Sequence, residues 1–184
     1  MKKQLSPCYS FFLLFLMVLA NGIQAASEIS DYEGWVITVL SGDTVRVLDG
    51  SNRMTTVRLQ SIDAPQRGQP YGEEARKYLA SLLSGKEVKV KPIGIDDFGN
   101  TIGTIWVEPP KCRTCKKTLD VNYALLEVGM AWWYQHFAKK QSSENRERYE
   151  AAQSKAKSSK LGLWADPEPE APWDWRARND DHRY

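Results

Sequence analysis

Apolar and polar residues alternate in the first part of the chain. Over residues 34–48 the alternating positions are rich in β-branched side chains and are interrupted at residues 41–43, which predicts two strands around a tight turn. Asp-Gly at residues 49–50 is a strong hairpin signal, and residues 54–59 supply a third strand. Pro65 then stops the pairing, because proline lacks the N–H that a ladder needs. We expect a meander that curls.

The apolar spacing becomes helical over residues 73–83, where acidic residues in the first turn favour the helix dipole. Alternation returns in a fourth strand at residues 87–91 and a fifth at residues 101–107, separated by a polar turn at residues 96–100. Five strands with a helix between the third and fourth are typical of an oligonucleotide-binding barrel. The predicted fold class is α+β, mainly β: a five-stranded OB-fold barrel with three helices.

The second and third helices are predicted at residues 120–128 and 143–160, the latter capped by Ser143. Residues 166–184 form an acidic tail with several prolines, which we expect to be extended or partly disordered rather than helical. Tryptophan side chains would hold an extended tail on the surface of the domain; the candidates are Trp164, Trp173 and Trp175.

The N-terminal residues 1–26 have the pattern of a removable signal peptide. Lys2 and Lys3 precede an apolar run at residues 11–20, and small residues reach Ala26. The run is too short to span a bilayer, so we expect no stable membrane anchor after cleavage and a secreted or periplasmic protein. An uncleaved anchor is the alternative.

Cleavage would leave residues 27–165 as one domain followed by the tail. Removal of Lys2 and Lys3 lowers the number of Lys and Arg from 25 to 23, which equals the 23 Asp and Glu. The mature protein is therefore not strongly basic. We also expect it to be a monomer.

Cys112 and Cys115 are the only cysteines of the predicted mature chain. In an oxidising compartment they most simply form a disulfide in a surface loop. A redox motif of this spacing would begin a helix after a strand, and a zinc site would need two more ligands where only His136 and His182 remain. The disulfide is the favoured interpretation.

Several short motifs follow one another in a characteristic order. They are Ser-Gly-Asp-Thr-Val (41–45), Val-Arg-Leu (57–59), Ile-Asp-Ala-Pro (62–65), Tyr-Gly-Glu-Glu-Ala (71–75), Asp-Asp-Phe-Gly-Asn-Thr-Ile-Gly (96–103), Asp-Val-Asn (120–122), Gly-Met-Ala (129–131) and Leu-Gly-Leu-Trp (161–164). Together they resemble the staphylococcal nuclease family over nearly all of the mature chain. The resemblance implies a calcium-dependent phosphodiesterase that acts on DNA and RNA as an endo- and exonuclease.

The resemblance assigns Asp43 and Asp63 to the two metal-binding aspartates of the family. Calcium prefers several oxygen ligands in a flexible geometry, which two carboxylates, the Ala64 carbonyl and waters would supply. The family often has threonine where Ala64 stands, but the ligand there is the backbone oxygen. We expect calcium to bind weakly.

Arg58 matches the first of two family arginines that bind the scissile phosphate. Gln66 stands where the family has the glutamate that acts as general base, and Asn100 where it has the second arginine. Gln66 cannot accept a proton and Asn100 carries no positive charge. Substitutes would have to come from nearby residues: Glu73 or Glu74 as base and Arg67 or Arg46 as cation.

Phe98 matches a family tyrosine that packs on a nucleotide base, and Tyr134 lies near a region where the family stacks aromatic residues. Stacking suits single-stranded nucleic acid, the expected partner. Alternatively, Tyr134 and the preceding Trp132 and Trp133 simply cover the barrel.

Three hypotheses follow. The first is an exported phosphodiesterase whose catalysis is impaired by Gln66 and Asn100. The second is a non-catalytic module that binds nucleic acid or another anionic ligand, and the third is a protein-interaction domain.

Overall fold

The computed structural model describes residues 30–112 and 115–180, and for Asp180 the backbone only. The strands are β1 (Tyr32–Val39), β2 (Thr44–Asp49), β3 (Met54–Leu59), β4 (Ile62–Asp63), β5 (Glu87–Ile95), β6 (Thr101–Val107), β7 (Leu119–Asp120) and β8 (Trp132–Trp133). The α-helices are α1 (Gly72–Leu83), α2 (Val121–Glu127), α3 (Ser143–Ser158) and α4 (Pro172–Asp180), and two 3₁₀-helices span Gln135–Lys140 and Gly162–Ala165. The signal peptide predicted at residues 1–26 lies outside the described residues.

Five strands form a closed barrel, which confirms the predicted fold class. They lie in the order β3-β2-β1-β5-β6 with antiparallel neighbours, and a parallel pairing between β3 and β6 closes the sheet. Arg58 of β3 lies at the closure, paired with Thr44 on one side and Ile102 on the other. A residue predicted to contact phosphate therefore lies where three strands meet.

The barrel is filled by apolar side chains from all five strands, and α1 and α2 pack on it. Gly42 lies at a close approach in this core. A Cβ atom at Gly42 would lie 2.7 Å from the Cβ atoms of both Ala64 and Ala75. The turn before β2 therefore packs directly on the segment after β4, which brings Asp43 close to Asp63.

The helix bounds differ from the predicted ones by a few residues, for local reasons. The cap of α3 is Ser142 rather than Ser143, because the Ser142 hydroxyl accepts the Asn145 N–H at 3.2 Å. Asp120 caps α2, which therefore begins at Val121, and its carboxylate accepts the Tyr123 N–H at 3.1 Å.

The C-terminal tail differs most from the prediction, because it contains the helix α4. Pro172 occupies the first helical position, where its missing N–H costs nothing. Trp173 packs against Trp132 and Tyr134, with ring centroids 5.5 and 5.1 Å apart. The acidic, proline-containing composition suggested an extended segment, but tertiary contacts stabilise a helix that is not amphipathic by itself.

The disulfide between Cys112 and Cys115 is present, as predicted, in the connection between β6 and β7. No helix within residues 30–112 and 115–180 is long and apolar enough to cross a membrane.

Candidate functional site

Asp43 lies in the turn before β2 and is almost completely buried. Its Oδ1 accepts hydrogen bonds from the hydroxyls of Ser41 at 2.7 Å and Thr44 at 2.8 Å. Its Oδ2 accepts the backbone N–H of Ala64 at 3.2 Å. The last bond connects the turn to the residue after Asp63, so two residues that are distant in the sequence share one polar pocket.

Asp63 ends β4, whose partner strand is β8, and its side chain is fully buried. Arg176 of α4 binds it with two hydrogen bonds, from Nη1 to Oδ1 at 3.0 Å and from Nη2 to Oδ2 at 2.6 Å. Arg58 approaches from the barrel, with its Nη2 3.9 Å from Oδ1 of Asp63. Two guanidinium groups therefore face one buried carboxylate.

The positive charges of Arg176 and Arg58 offset the negative charges of the two aspartates in the pocket. Burial raises the pKa of Asp63, the hydrogen bonds from Arg176 oppose this effect, and the nearby Asp43 raises the pKa further. The same hydrogen bonds raise the pKa of Arg176, which stays a cation. The acidic pair predicted from the sequence is thus accompanied by two arginines, of which only Arg58 was predicted.

The oxygens expected to bind calcium are already hydrogen-bonded. Both oxygens of Asp63 accept from Arg176, and both oxygens of Asp43 accept from protein donors. The Ala64 carbonyl accepts the side-chain amide of Gln66 at 2.9 Å. Among the described residues no group of three or more His, Cys, Asp or Glu could hold a metal ion. This donor set, as arranged, does not fit a calcium ion.

Gln66 lies in the loop that follows Asp63. Its side-chain amide donates to Ala64, and its backbone N–H donates to Oε1 of Gln69 at 2.8 Å. The Gln69 amide in turn donates to the backbone carbonyl of Glu170 at 2.8 Å. The position that the resemblance aligns with the family's general base therefore takes part in a hydrogen-bond chain that reaches the C-terminal tail.

Asn100 is bonded within its own turn, between β5 and β6. Its Nδ2 donates to Oδ2 of Asp96 at 3.0 Å, and its N–H donates to Oδ1 at 2.8 Å. Desolvation acts to raise the pKa of Asp96, but the hydrogen bonds from Asn100 and Phe98 outweigh it and lower the pKa. Asn100 thus stabilises the turn and brings no positive charge to Asp63.

Arg58, Phe98 and Tyr134 line one open cleft of about 140 Å³. Phe98 is 87% exposed, and Phe137 packs edge-on against Tyr134 with centroids 5.3 Å apart. Trp173 packs against the Tyr134 ring but is not among the residues that line the cleft. Three residues predicted separately to contact a nucleotide are therefore brought together, and α4 leaves their cleft open.

The neighbouring aromatic residues have a structural role. Trp133 is buried and donates from its indole N–H to Oε1 of Gln141 at 3.1 Å. Trp132 packs against Trp164, with centroids 4.4 Å apart, and beneath Lys157. The interpretation that the tryptophans cover the barrel describes Trp132 and Trp133, whereas Tyr134 lines the cleft.

The four substitutes considered for base and cation are exposed, and none makes a hydrogen bond or ion pair with Asp43 or Asp63. Glu73 forms a two-bond pair with Arg76 at the start of α1, at 2.8 and 2.7 Å. The cation that does reach Asp63, Arg176, was missed. In the sequence Arg176 is simply a basic residue that follows Trp173 and Trp175 in an acidic tail. Nothing in that position reveals a partner 113 residues away.

A family model described as "Staphylococcal nuclease homologue" matches residues 56–166. This range includes Arg58, Asp63, Gln66 and Asn100 and ends before α4. The match agrees with the resemblance inferred from the ordered motifs.

Similar proteins include a "Micrococcal nuclease" of Shigella flexneri, 38% identical over 150 residues that cover 80% of this chain and 82% of the relative. "Protein ParB" of Escherichia coli is 32% identical over 90% of each chain. An "Uncharacterized endonuclease" of Escherichia coli O157:H7 is 32% identical over 81% of this chain and 88% of the relative. With a barrel of the expected topology and relatives that match along most of their length, this chain belongs to the staphylococcal nuclease family.

Proposed function

We propose that this protein is an exported nucleic-acid-binding member of the nuclease family in which phosphodiester hydrolysis is impaired. The observation that carries the proposal is a contrast within one site. Arg58, Phe98 and Tyr134 line an open cleft, whereas Gln66 and Asn100 use their side chains in local hydrogen bonds.

Binding is supported by the composition of the cleft. Arg58 is partly exposed and can donate to a phosphate, while Phe98 offers an exposed ring for stacking. Base stacking on an aromatic side chain contributes about 1–3 kcal/mol per base and tolerates any sequence. Unpaired bases are needed for such stacking, so single-stranded nucleic acid is the proposed partner.

Impairment is supported by chemistry at two positions. A positioned general base contributes about 10²–10⁴ in rate, which the amide of Gln66 cannot supply. A donor to the transition state contributes about 10²–10³, and Asn100 donates instead to Asp96. The two losses do not simply multiply, because groups that act together are not additive. Either loss alone lowers the rate severely.

Export and monomeric state are part of the same proposal. The charged, then apolar, then small residues of the N-terminus support export, and the disulfide suits an oxidising compartment. Weak calcium binding belongs here too, because it follows from family membership and not from the arrangement of Asp43 and Asp63.

The second candidate function is unimpaired, calcium-dependent hydrolysis of DNA and RNA. Family membership and a relative named a micrococcal nuclease favour it. It would require a general base other than Gln66, and Glu73, one of the two candidates considered, is paired with Arg76.

Digestion of denatured DNA by the purified protein, at calcium concentrations high enough to fill a weak site, separates the two candidates. We compare the wild type with Gln66→Glu, Asn100→Arg, the double variant, and Asp63→Ala. The expected result is slow cleavage by the wild type and a gain of at least about 100-fold in the double variant. Fast wild-type cleavage that Asp63→Ala abolishes would overturn the impairment.

Binding is tested by fluorescence anisotropy with a labelled single-stranded oligonucleotide in EDTA. Affinity should fall steeply between 50 and 200 mM salt, as phosphate contacts require. Phe98→Ala should weaken binding about 5- to 100-fold. Trp35→Ala is the control, because Trp35 is an exposed aromatic residue outside the cleft. An absence of binding at low salt would favour the protein-interaction hypothesis.

A further inference from the structure

Arg176 and Asp63 form the longest-range charged contact at the site. The guanidinium donates one hydrogen bond to each carboxylate oxygen, at 3.0 and 2.6 Å. Asp63 is fully buried, whereas the Arg176 side chain is 35% exposed. A two-bond arginine–carboxylate pair of this kind is strong and directional, and it leaves no carboxylate oxygen without a donor.

This pair uses the atoms that a divalent ion would need. Calcium binds carboxylate oxygens directly, so at Asp63 it would compete with a guanidinium that already donates to both oxygens. Asp43 and Asp63 carry two negative charges when ionised, and Arg58 and Arg176 supply two positive ones. The charges of the buried carboxylates are therefore already compensated, which weakens the electrostatic attraction of the pocket for a further cation.

The helix that carries Arg176 is held in place by contacts of several kinds. Trp173 packs on Trp132 and Tyr134, and the chain just before α4 accepts the Gln69 amide at the Glu170 carbonyl. Further along α4, Arg178 binds the Glu170 carboxylate with hydrogen bonds of 3.0 and 2.7 Å. Arg176 is thus delivered by a docked element.

We propose that Arg176 is the resident cation of the Asp43 and Asp63 pocket, where it takes the place of calcium. Calcium then enters only when α4 leaves, so the nucleic acid cleft works without a metal ion. The inference concerns the site of the proposed function and rests on it for its biological meaning. It replaces the expectation of weak calcium binding with a specific cause for the weakness.

Calcium binding by the purified protein tests this directly, without nucleic acid. Calorimetry and thermal melting are carried out on the wild type and Arg176→Gln, each in EDTA and in calcium. The variant should bind calcium at least tenfold more tightly than the wild type. It should melt lower in EDTA, because Asp63 is left buried without its partner, and calcium should raise its melting temperature.

Two further variants make the result specific. Arg76→Gln removes an arginine of α1 that pairs with Glu73 and not with Asp63 or α4, and it should behave like the wild type. Arg176→Gln combined with Asp63→Asn should lose the calcium response. If Arg176→Gln does not fold, Arg176→Lys replaces it, and its single ammonium should allow tighter calcium binding than the wild type.

The proposal is overturned if the wild type binds calcium as tightly as the Arg176 variant. It is also overturned if the folded Arg176 variant binds none, or if Arg76→Gln gains calcium equally. Failure of the wild type to bind an oligonucleotide would overturn the proposed function instead and would leave the calcium result unaffected.

Discussion

The side-chain amide of Asn122 on α2 donates a hydrogen bond of 3.0 Å to the backbone carbonyl of Gln60. Its Oδ1 accepts the backbone N–H of Ile105 at 3.2 Å, and the residue is fully buried. One side chain thus pairs backbone groups at the end of β3 and within β6, beside the barrel closure that positions Arg58.

Replacing Asn122 should therefore destabilise the barrel. Asn122→Leu leaves a buried N–H and a buried carbonyl without this partner, and each such group costs about 1–3 kcal/mol. We expect the free energy of unfolding in urea to fall by about 2–5 kcal/mol. Asn145→Leu, at an exposed position on α3, is the control and should change it by less than about 0.5 kcal/mol. Equal effects of the two variants would contradict the prediction.

Gly42→Ala tests the close packing of the turn that carries Asp43 against Ala64 and Ala75. The added methyl group would lie 2.7 Å from Cβ of Ala64 and of Ala75, so the turn must shift. Overpacking of this kind costs about 1–3 kcal/mol, measured by urea unfolding. Gly50→Ala is the matched control, because a Cβ at Gly50 meets nothing within 4 Å. A control as destabilised as the Gly42 variant would refute the argument.

Asp49 should make the stability of the first hairpin depend on pH. A backbone hydrogen bond from Arg53 lowers the pKa of Asp49, and bonds from the Arg53 side chain and the Ser51 N–H add to it. Because the folded pKa lies below the unfolded value of about 3.9, this stabilisation is complete about one pH unit above that value and is lost as pH falls through the folded pKa. The difference in unfolding free energy between the wild type and Asp49→Asn should therefore shrink between pH 7 and pH 3. A difference that stays constant would contradict this.

Trp173→Ala should loosen the docking of α4. The Trp173 ring packs against Trp132 and Tyr134, and its removal takes away these aromatic contacts between α4 and the rest of the domain. Trypsin should then cleave after Arg176 and Arg178 several-fold faster, as followed by mass spectrometry, because local opening exposes the backbone. Trp35→Ala, on the exposed outer face of β1, should leave the cleavage rate unchanged.

Local patterns in the sequence predicted much of this protein. Alternation and turn residues identified β3 and β6 with their observed bounds, and the order of strands and helix indicated the closed barrel. The two cysteines predicted the disulfide. These features depend on residues close in the chain or on a repeated pattern, so they can be seen without coordinates.

The tertiary structure alone decided what surrounds Asp63. Motif order indicated that Asp43 and Asp63 share a pocket, but nothing local marks Arg176 as the partner of a residue 113 positions earlier. The same holds for α4, whose helix depends on packing by Trp173 and not on its own periodicity. An ion pair between distant segments arises from the way the whole chain packs, and for that reason it was invisible in the sequence.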